Sequence, residues 1–201
     1  RLKLVYKDDK QQNDIRLKTG AVGLSHKYFF NNNTYLNTTL ASTGSETDWQ
    51  AQVFNSQLEL KPYSHIANTN WNYTLSSFIN KKFNSRHTNR TGVLITQMNY
   101  NILLNRSIID GEVPTEIVNS KGNSTLLSVY SNSSISLTPK LIMNIGINGQ
   151  FFTLNNHYTI EPRVGFRQLI GQKQSLGFAY GMHSRLENLN FYYNNSLITG
   201  E

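Results

Sequence analysis

The chain has 201 residues, of which 38% are apolar, 15% charged and 11% aromatic. The apolar share is low for a globular domain, and the low charge and the aromatics argue against a disordered chain. The absence of cysteine excludes a disulfide framework, a thiolate metal site and a cysteine nucleophile. The net charge of +7 comes from scattered Lys and Arg. Without a basic run or an RNA-binding signature it reads as a solvated surface, or as attraction to anionic lipid or lipopolysaccharide head groups, rather than as a nucleic-acid interface.

In chain order, Leu2 to Tyr6 reads as a short strand end and Lys7 to Asp14 as a polar loop. Ile15 to Phe30 is a long strand rich in small residues, with poorly separated faces. Asn31-Asn32-Asn33 is a tight turn, since Asn tolerates positive φ. Thr34 to Thr43 is a strand with Leu36, Thr38 and Leu40 on one face, and Gly44 to Asn70 reads as a long polar segment that includes Pro62, a loop with room for strand projecting past a membrane. Trp71 to Lys82 alternates Trp71, Tyr73, Leu75 and Ile79 with Asn72, Thr74, Ser76 and Asn80. Asn84 to Asn89 is a short connection. Thr91 to Leu103 sets Leu94, Met98, Tyr100 and Ile102 against Gln97, Asn99 and Asn101. Asn105 to Asn123 reads as a second long loop.

Thr125 to Arg185 is the most regular stretch, four alternating segments with very short connections. Leu141, Met143, Ile145, Ile147 and Phe151 share one face of the second. Tyr158, Ile160, Val164 and Phe166 share one face of the third, and Leu176, Phe178, Tyr180 and Met182 one face of the fourth. Side chains of a strand alternate between faces, so each segment is a ribbon with one apolar and one polar side. Pro162 interrupts the third segment, and a bulge is expected there.

This pattern fits an antiparallel sheet in either of two settings, a soluble sandwich or a membrane barrel. Short connections at Asn31–Asn33, Asn84–Asn89, Thr138–Lys140 and Gly171–Lys173 alternate with long ones, as in a meandering outer-membrane barrel, and only Asn155-Asn156 breaks the rhythm. Leu141 to Leu154 exceeds the ~9–11 residues needed to cross a bilayer at a tilt. Aromatics near segment ends (Trp71, Tyr73, Tyr100, Phe151, Phe152, Tyr158) suit interfacial girdles. No apolar run approaches the ~20 residues of a membrane helix.

Three segments carry a resemblance: NTNWNYTLSSFINKKFNSRHTNRTGVLITQMNYNILLN (Asn68 to Asn105), LTPKLIMNIGINGQFFTLNNHYTIEPRVGFR (Leu137 to Arg167) and SLGFAYGMHSRLENLNFYY (Ser175 to Tyr193). They resemble the barrel of TonB-dependent outer-membrane receptors, of the Bacteroidetes type with an N-terminal carboxypeptidase-regulatory-like domain. The resemblance implies a bacterial outer-membrane location and a barrel of about twenty-two strands closed by a plug. It also implies import of a scarce solute (an iron chelate, cobalamin or a glycan), with energy supplied by the TonB system through the plug. The plug, the TonB-contacting segment and the aromatic-ended terminal strand are not recognisable here. The chain therefore resembles an internal portion, residues 1–201 forming part of one barrel domain with about nine strands. A soluble carbohydrate-binding β-sandwich is the alternative.

No catalytic constellation is recognisable, and no cofactor is expected. His26, His65, His87, His157 and His183 lack metal-ligand spacing, and there is no nucleophile elbow or phosphate loop. The candidate ligand contacts on the polar face are Glu161, Arg163, Arg167, His183 and Arg185, with Glu161 expected near Gly181 or His183; cross-strand ion pairing is the simpler account of this ladder. The candidate contacts in the long loops are Trp49, Tyr63, Phe191 and Tyr192, with Phe54 beside them, since aromatics among amides suit capture of a small solute.

Overall fold

The computed structural model describes residues 11–108, 112–171 and 173–186. Their secondary structure is entirely β: β1 (Gln11–Asn31), β2 (Thr34–Phe54), β3 (Leu60–Asn84), β4 (His87–Arg106), β5 (Thr115–Thr138), β6 (Leu141–Phe152), β7 (His157–Leu169) and β8 (Ser175–Gly181). The strands form one antiparallel sheet in the order β1 to β8, each paired with its sequence neighbours. β1 and β8 are its two edges, and the described residues do not close it into a ring. The fold is thus an all-β antiparallel meander. Eight strands stand against the nine expected, and the ninth, at Leu2 to Tyr6, lies outside the described residues.

Small polar side chains make the turns. Asn31 Oδ1 accepts from the Asn33 amide at 2.9 Å, Asn84 Oδ1 from Arg86 at 2.8 Å, and Asn155 Oδ1 from His157 at 3.1 Å. Thr138 Oγ1 accepts from the Lys140 and Leu141 amides. In each case the side chain satisfies a backbone donor that the turn would orphan. We call the end carrying the turns at 32–33, 85–86 and 139–140, where β7 ends and β8 begins, the short-turn end.

The loop rhythm of the sequence is not what the structure has. β2 continues to Phe54 and β3 starts at Leu60, so Gly44 to Asn70 is mostly strand, around a connection at 55–59. Likewise Asn105 to Asn123 is mostly strand, around a connection at 107–114, and residues 11–14 already belong to β1. These stretches carry amides on both faces, and an amide-rich strand has no apolar period to betray it. The two ends differ in strand projection: β3 runs 25 residues, and on the face of Leu75 the positions from Trp71 to Ile79 are apolar apart from Ser77, whereas Thr69 and His65, farther from the short turns, are polar.

Pro162 sits in β7 without a bulge, in continuous register with Ile147. Its carbonyl accepts from the Met182 amide at 3.0 Å, so its missing N–H lies on the β8 side. The regular β7–β8 ladder ends one pair earlier, at Arg163 with Gly181. Pro removes one ladder donor, and the sheet loses pairing where that donor is needed.

The register separates the two faces. Leu24, Leu40, Leu75, Ile95, Leu127, Phe151 and Tyr158 stand side by side in one row across seven strands. Toward the short-turn end the same face continues through Ile145, Val164 and Tyr180 and through Phe166 and Phe178. On that face Ile145 is 49% and Phe178 65% exposed. No second layer covers it among the described residues. Three rows from the apolar row, away from the short turns, the same face is Lys18, Glu46, Thr69, Asn101 and Lys121. The change from apolar to polar occurs near Trp71 and Tyr73.

The buried cluster is small and lies on the other face. Tyr100, Ile102, Val118 and Phe152 pack with Met98, Leu104, Leu126 and Leu186 at the end opposite the short turns. Tyr100 and Phe152 are therefore packed inside this cluster, not part of a girdle with Trp71, Tyr73, Phe151 and Tyr158.

Candidate functional site

The second face is built by the same register. Asn80, Arg90, Asn132, Gly146, Arg163 and Gly181 form one row across β3 to β8. One row toward the short turns lie Lys82, Thr88, Ser134, Asn144, Gly165 and Ala179, and beyond them Arg167 with Gly177. These positions alternate with the apolar ones, so the polar row exists because its neighbours in sequence point the other way.

The most constrained group on this face is Glu161, 2% exposed. Its carboxylate accepts from Asn148 Nδ2 at 3.2 Å and from an Arg163 guanidinium nitrogen at 2.6 Å. It also accepts from the Ser184 amide at 2.8 Å and from the Ser184 hydroxyl. Asn148 is its in-register partner on β6, and Arg163 is two residues along its own strand. Ser184 comes from the segment that leaves the ladder after Gly181. Four donors on one buried carboxylate satisfy it fully, as a buried charge requires. The carboxylate also ties residues 182–186 to the polar face, where Leu186 packs against the buried cluster and the Thr159 and Ser184 hydroxyls meet at 3.0 Å.

A concavity of about 670 Å³ opens on the short-turn side of Glu161. Arg90, Arg163, His183, Asn80, Asn132 and Asn144 are among its lining side chains. Two glycines keep its floor low. A Cβ on Gly146 would collide with the Asn132 amide, and one on Gly181 would come within 3.1 Å of Arg163 Cγ. The neighbouring side chains lie over these glycines instead of standing away from them.

Charge is segregated along the sheet. The row of Arg90 and Arg163, with everything between it and the short turns, carries Lys81, Lys82, Arg86, Arg90, Lys140, Arg163, Arg167 and Lys173 and no carboxylate. The described carboxylates (Asp14, Glu46, Asp48, Glu59, Glu112, Glu116 and Glu161) all lie on the other side of that row. The excess positive charge, scattered in sequence, is concentrated in space.

Glu161, Arg163 and Arg167 share the polar face as expected. His183 and Arg185 do not continue the β8 ladder, which ends at Gly181. His183 lines the concavity beside Arg163, whereas Arg185 lies at a separate small cleft with Phe152 and His157. Of the five, Arg163 and His183 line the concavity, and Glu161, Arg167 and Arg185 do not.

Trp49 and Tyr63 are strand residues, not loop residues. Trp49 Nε1 donates to Asn13 Oδ1 at 3.1 Å, and Tyr63 accepts from the Arg106 guanidinium at 2.9 Å. Their spacing from the concavity follows from their place at the opposite end of β2 and β3. Phe191 and Tyr192 lie outside the described residues. Arg90, Asn132 and Asn144 were missed. Asn132 and Asn144 were legible as polar partners of alternating apolar residues. Arg90 sits just after the turn at 85–86, where no alternation marks its face. Among the described residues no group of three or more His, Asp or Glu side chains is placed to hold a metal.

No family model and no curated protein matches this sequence.

Proposed function

We propose that this chain forms part of the wall of a transmembrane β-barrel in a bacterial outer membrane, belonging to a solute-import receptor driven through TonB. One observation carries the reading: a single sheet exposes a predominantly apolar face across its strands, interrupted by small polar groups that bond one another (Thr38 with Ser77, Asn89 and Thr91 with Ser131), and bounded on one side by a polar continuation of the same face. In water such a face is a large unpaired hydrophobic surface, which soluble proteins avoid. Against hydrocarbon it costs nothing. The dimensions agree. From Leu127 to Leu137 the side of β5 that carries Leu127, Val129, Ile135 and Leu137, with Ser131 and Ser133 between them, spans about 33 Å along the strand, or about 25 Å of depth at a tilt of ~40°. Trp71, Tyr73 and Tyr158 then fall near one boundary, as interfacial aromatics do.

On this reading the amide-rich face lines the lumen, the strand extensions project outside, and the short turns face the periplasm. The partners of the apolar face are phospholipid and lipopolysaccharide. The wall itself is passive: it offers a polar path to a small solute, while a plug and the TonB system gate it. A soluble carbohydrate-binding sandwich would need a second layer over Ile145, Val164 and Phe178, and no described residue provides one.

Spin labels test the reading in lipid vesicles. Labels at Ile145, Val164 and Phe178 should contact dissolved oxygen strongly and a water-soluble nickel chelate weakly. Labels at Asn144, Ser134 and Gly165 should show the opposite. Equal exposure of both sets to the chelate, or shielding of the first set from both reagents, would end the proposal.

A further inference from the structure

We infer that the concavity beside Arg90 and Arg163 is a binding site for a small anionic solute that presents carboxylate or phosphate oxygens; the inference rests on the lumen reading for access to the site. Its volume of about 670 Å³ falls within the range of small-molecule sites, roughly 300–1,000 Å³. The fixed charges in its lining, Arg90 and Arg163, are both positive. Arg90 and Arg163 stand in one row, three strands apart, a Cα separation of about 14 Å. A solute of several carbons bridges that distance when the Arg90 side chain, which lies toward Phe78 on β3, swings over the row.

The donors remain usable. Arg163 gives Glu161 a contact from one terminal nitrogen, and a guanidinium carries five N–H donors, so its fork is not exhausted. The Arg90 guanidinium sits 4.6 Å from the centroid of the Phe78 ring. That ring orients the charge without accepting its in-plane N–H groups. Asn80, Asn132 and Asn144 add neutral donors around the rim. Arg167 and Lys82 strengthen the positive field from nearer the short turns, and no carboxylate stands on that side to cancel it. Low-dielectric walls focus such a field and raise the local concentration of anions. A neutral sugar would gain nothing from the excess positive charge, and a cation would be repelled.

The test uses the full chain folded in detergent micelles, with citrate and pyrophosphate as the two oxyacid probes and sucrose as the neutral one, each followed by calorimetry. Citrate or pyrophosphate should bind saturably and sucrose should not. Arg90→Gln should weaken the oxyacid about tenfold, and raising the salt from about 0.05 M to about 0.5 M should weaken it further, as exposed charge contacts require. Arg167→Gln, two rows nearer the short turns than Arg163, should weaken it less while leaving the fold intact. Sucrose binding as well as the oxyacids, no saturation by either oxyacid, or an unchanged affinity in Arg90→Gln overturns the inference. The two readings fail separately: spin labels that show lipid contact beside absent oxyacid binding keep the wall and remove the site.

Discussion

The indole of Trp71 covers Gly44, its in-register neighbour on β2. A Cβ built on Gly44 would lie 2.5 Å from two atoms of that ring. Tyr73 meets the same indole edge-on, with centroids 6.4 Å apart. The same arrangement recurs where Tyr100 covers Gly122 on the other face. A strand glycine contributes no side chain to the sheet surface, and a cross-strand aromatic restores the lost cover.

Gly44→Val should therefore push the indole off the sheet. In a Trp49→Phe background Trp71 is the sole tryptophan. Its emission should shift in the variant, and stability should fall by on the order of 1 kcal/mol. An unchanged spectrum would show that the indole does not depend on this contact.

Substitutions at Ile145 and Asn144 separate the two faces within one strand. Ile145 is apolar-side and lies near the middle of the proposed band, so Ile145→Arg should cost about 2–4 kcal/mol when folding is measured in lipid. Asn144→Arg points to the polar side and should cost almost nothing. Equal costs at the two neighbours would contradict the assignment of the faces.

Glu161→Ala removes the acceptor shared by Asn148, Arg163 and Ser184. It orphans the Ser184 amide and removes the carboxylate's hold on the segment after Met182, whose own amide stays bonded to the Pro162 carbonyl. Hydrogen exchange at Ser184 should accelerate strongly, with a global loss of about 1–3 kcal/mol. Protection confined to its present level at Ser184 would mean that Leu186, not the carboxylate, holds the segment.

The Asp48 carboxylate meets His65 Nε2 at 2.9 Å, in the strand extensions outside the proposed band. Its hydrogen bond with His65, aided by one from Gln50, holds it below the usual carboxylate range against the opposing effect of partial burial. A carboxyl depressed in the folded state stabilises above its unfolded pKa, and that contribution disappears as the pH falls through the folded value. The stability difference between the wild type and Asp48→Asn should therefore shrink as the pH falls from about 5 to about 2. A difference independent of pH over that interval would assign the contact no role in acid stability.

Leu58 holds a left-handed backbone, φ 62°, in the connection at 55–59 and is largely exposed. The turn closes through Leu58 N to Asn55 O at 3.0 Å and Asn55 N to Glu59 O at 2.9 Å. Leu58→Gly relieves the Cβ clash of that conformation. After the entropy that glycine adds to the unfolded chain, a net gain of about 0.5–1 kcal/mol is expected in chemical denaturation. A loss of stability would show that the leucine side chain makes a contact worth more than its strain.

The amino-acid order determined the ribbons of the second half. Ile145, Val164 and Phe178 alternate with amides and glycines at a strict period of two, and that period survives in any antiparallel sheet. The turns at Asn31, Asn84 and Thr138 were equally legible, because each uses its own side chain to hold a nearby amide. Long stretches such as 44–70 were not, since strands that carry polar groups on both faces have the local composition of loops. Register decided the rest. Only the pairing of Arg90 with Asn132, Gly146 and Arg163 gathers cations that sequence scatters over seventy-odd positions, and only the folded segment after Gly181 brings Ser184 to Glu161. Such groupings join strands far apart in the chain, and their cause is the stagger of neighbouring backbones, which no single segment encodes.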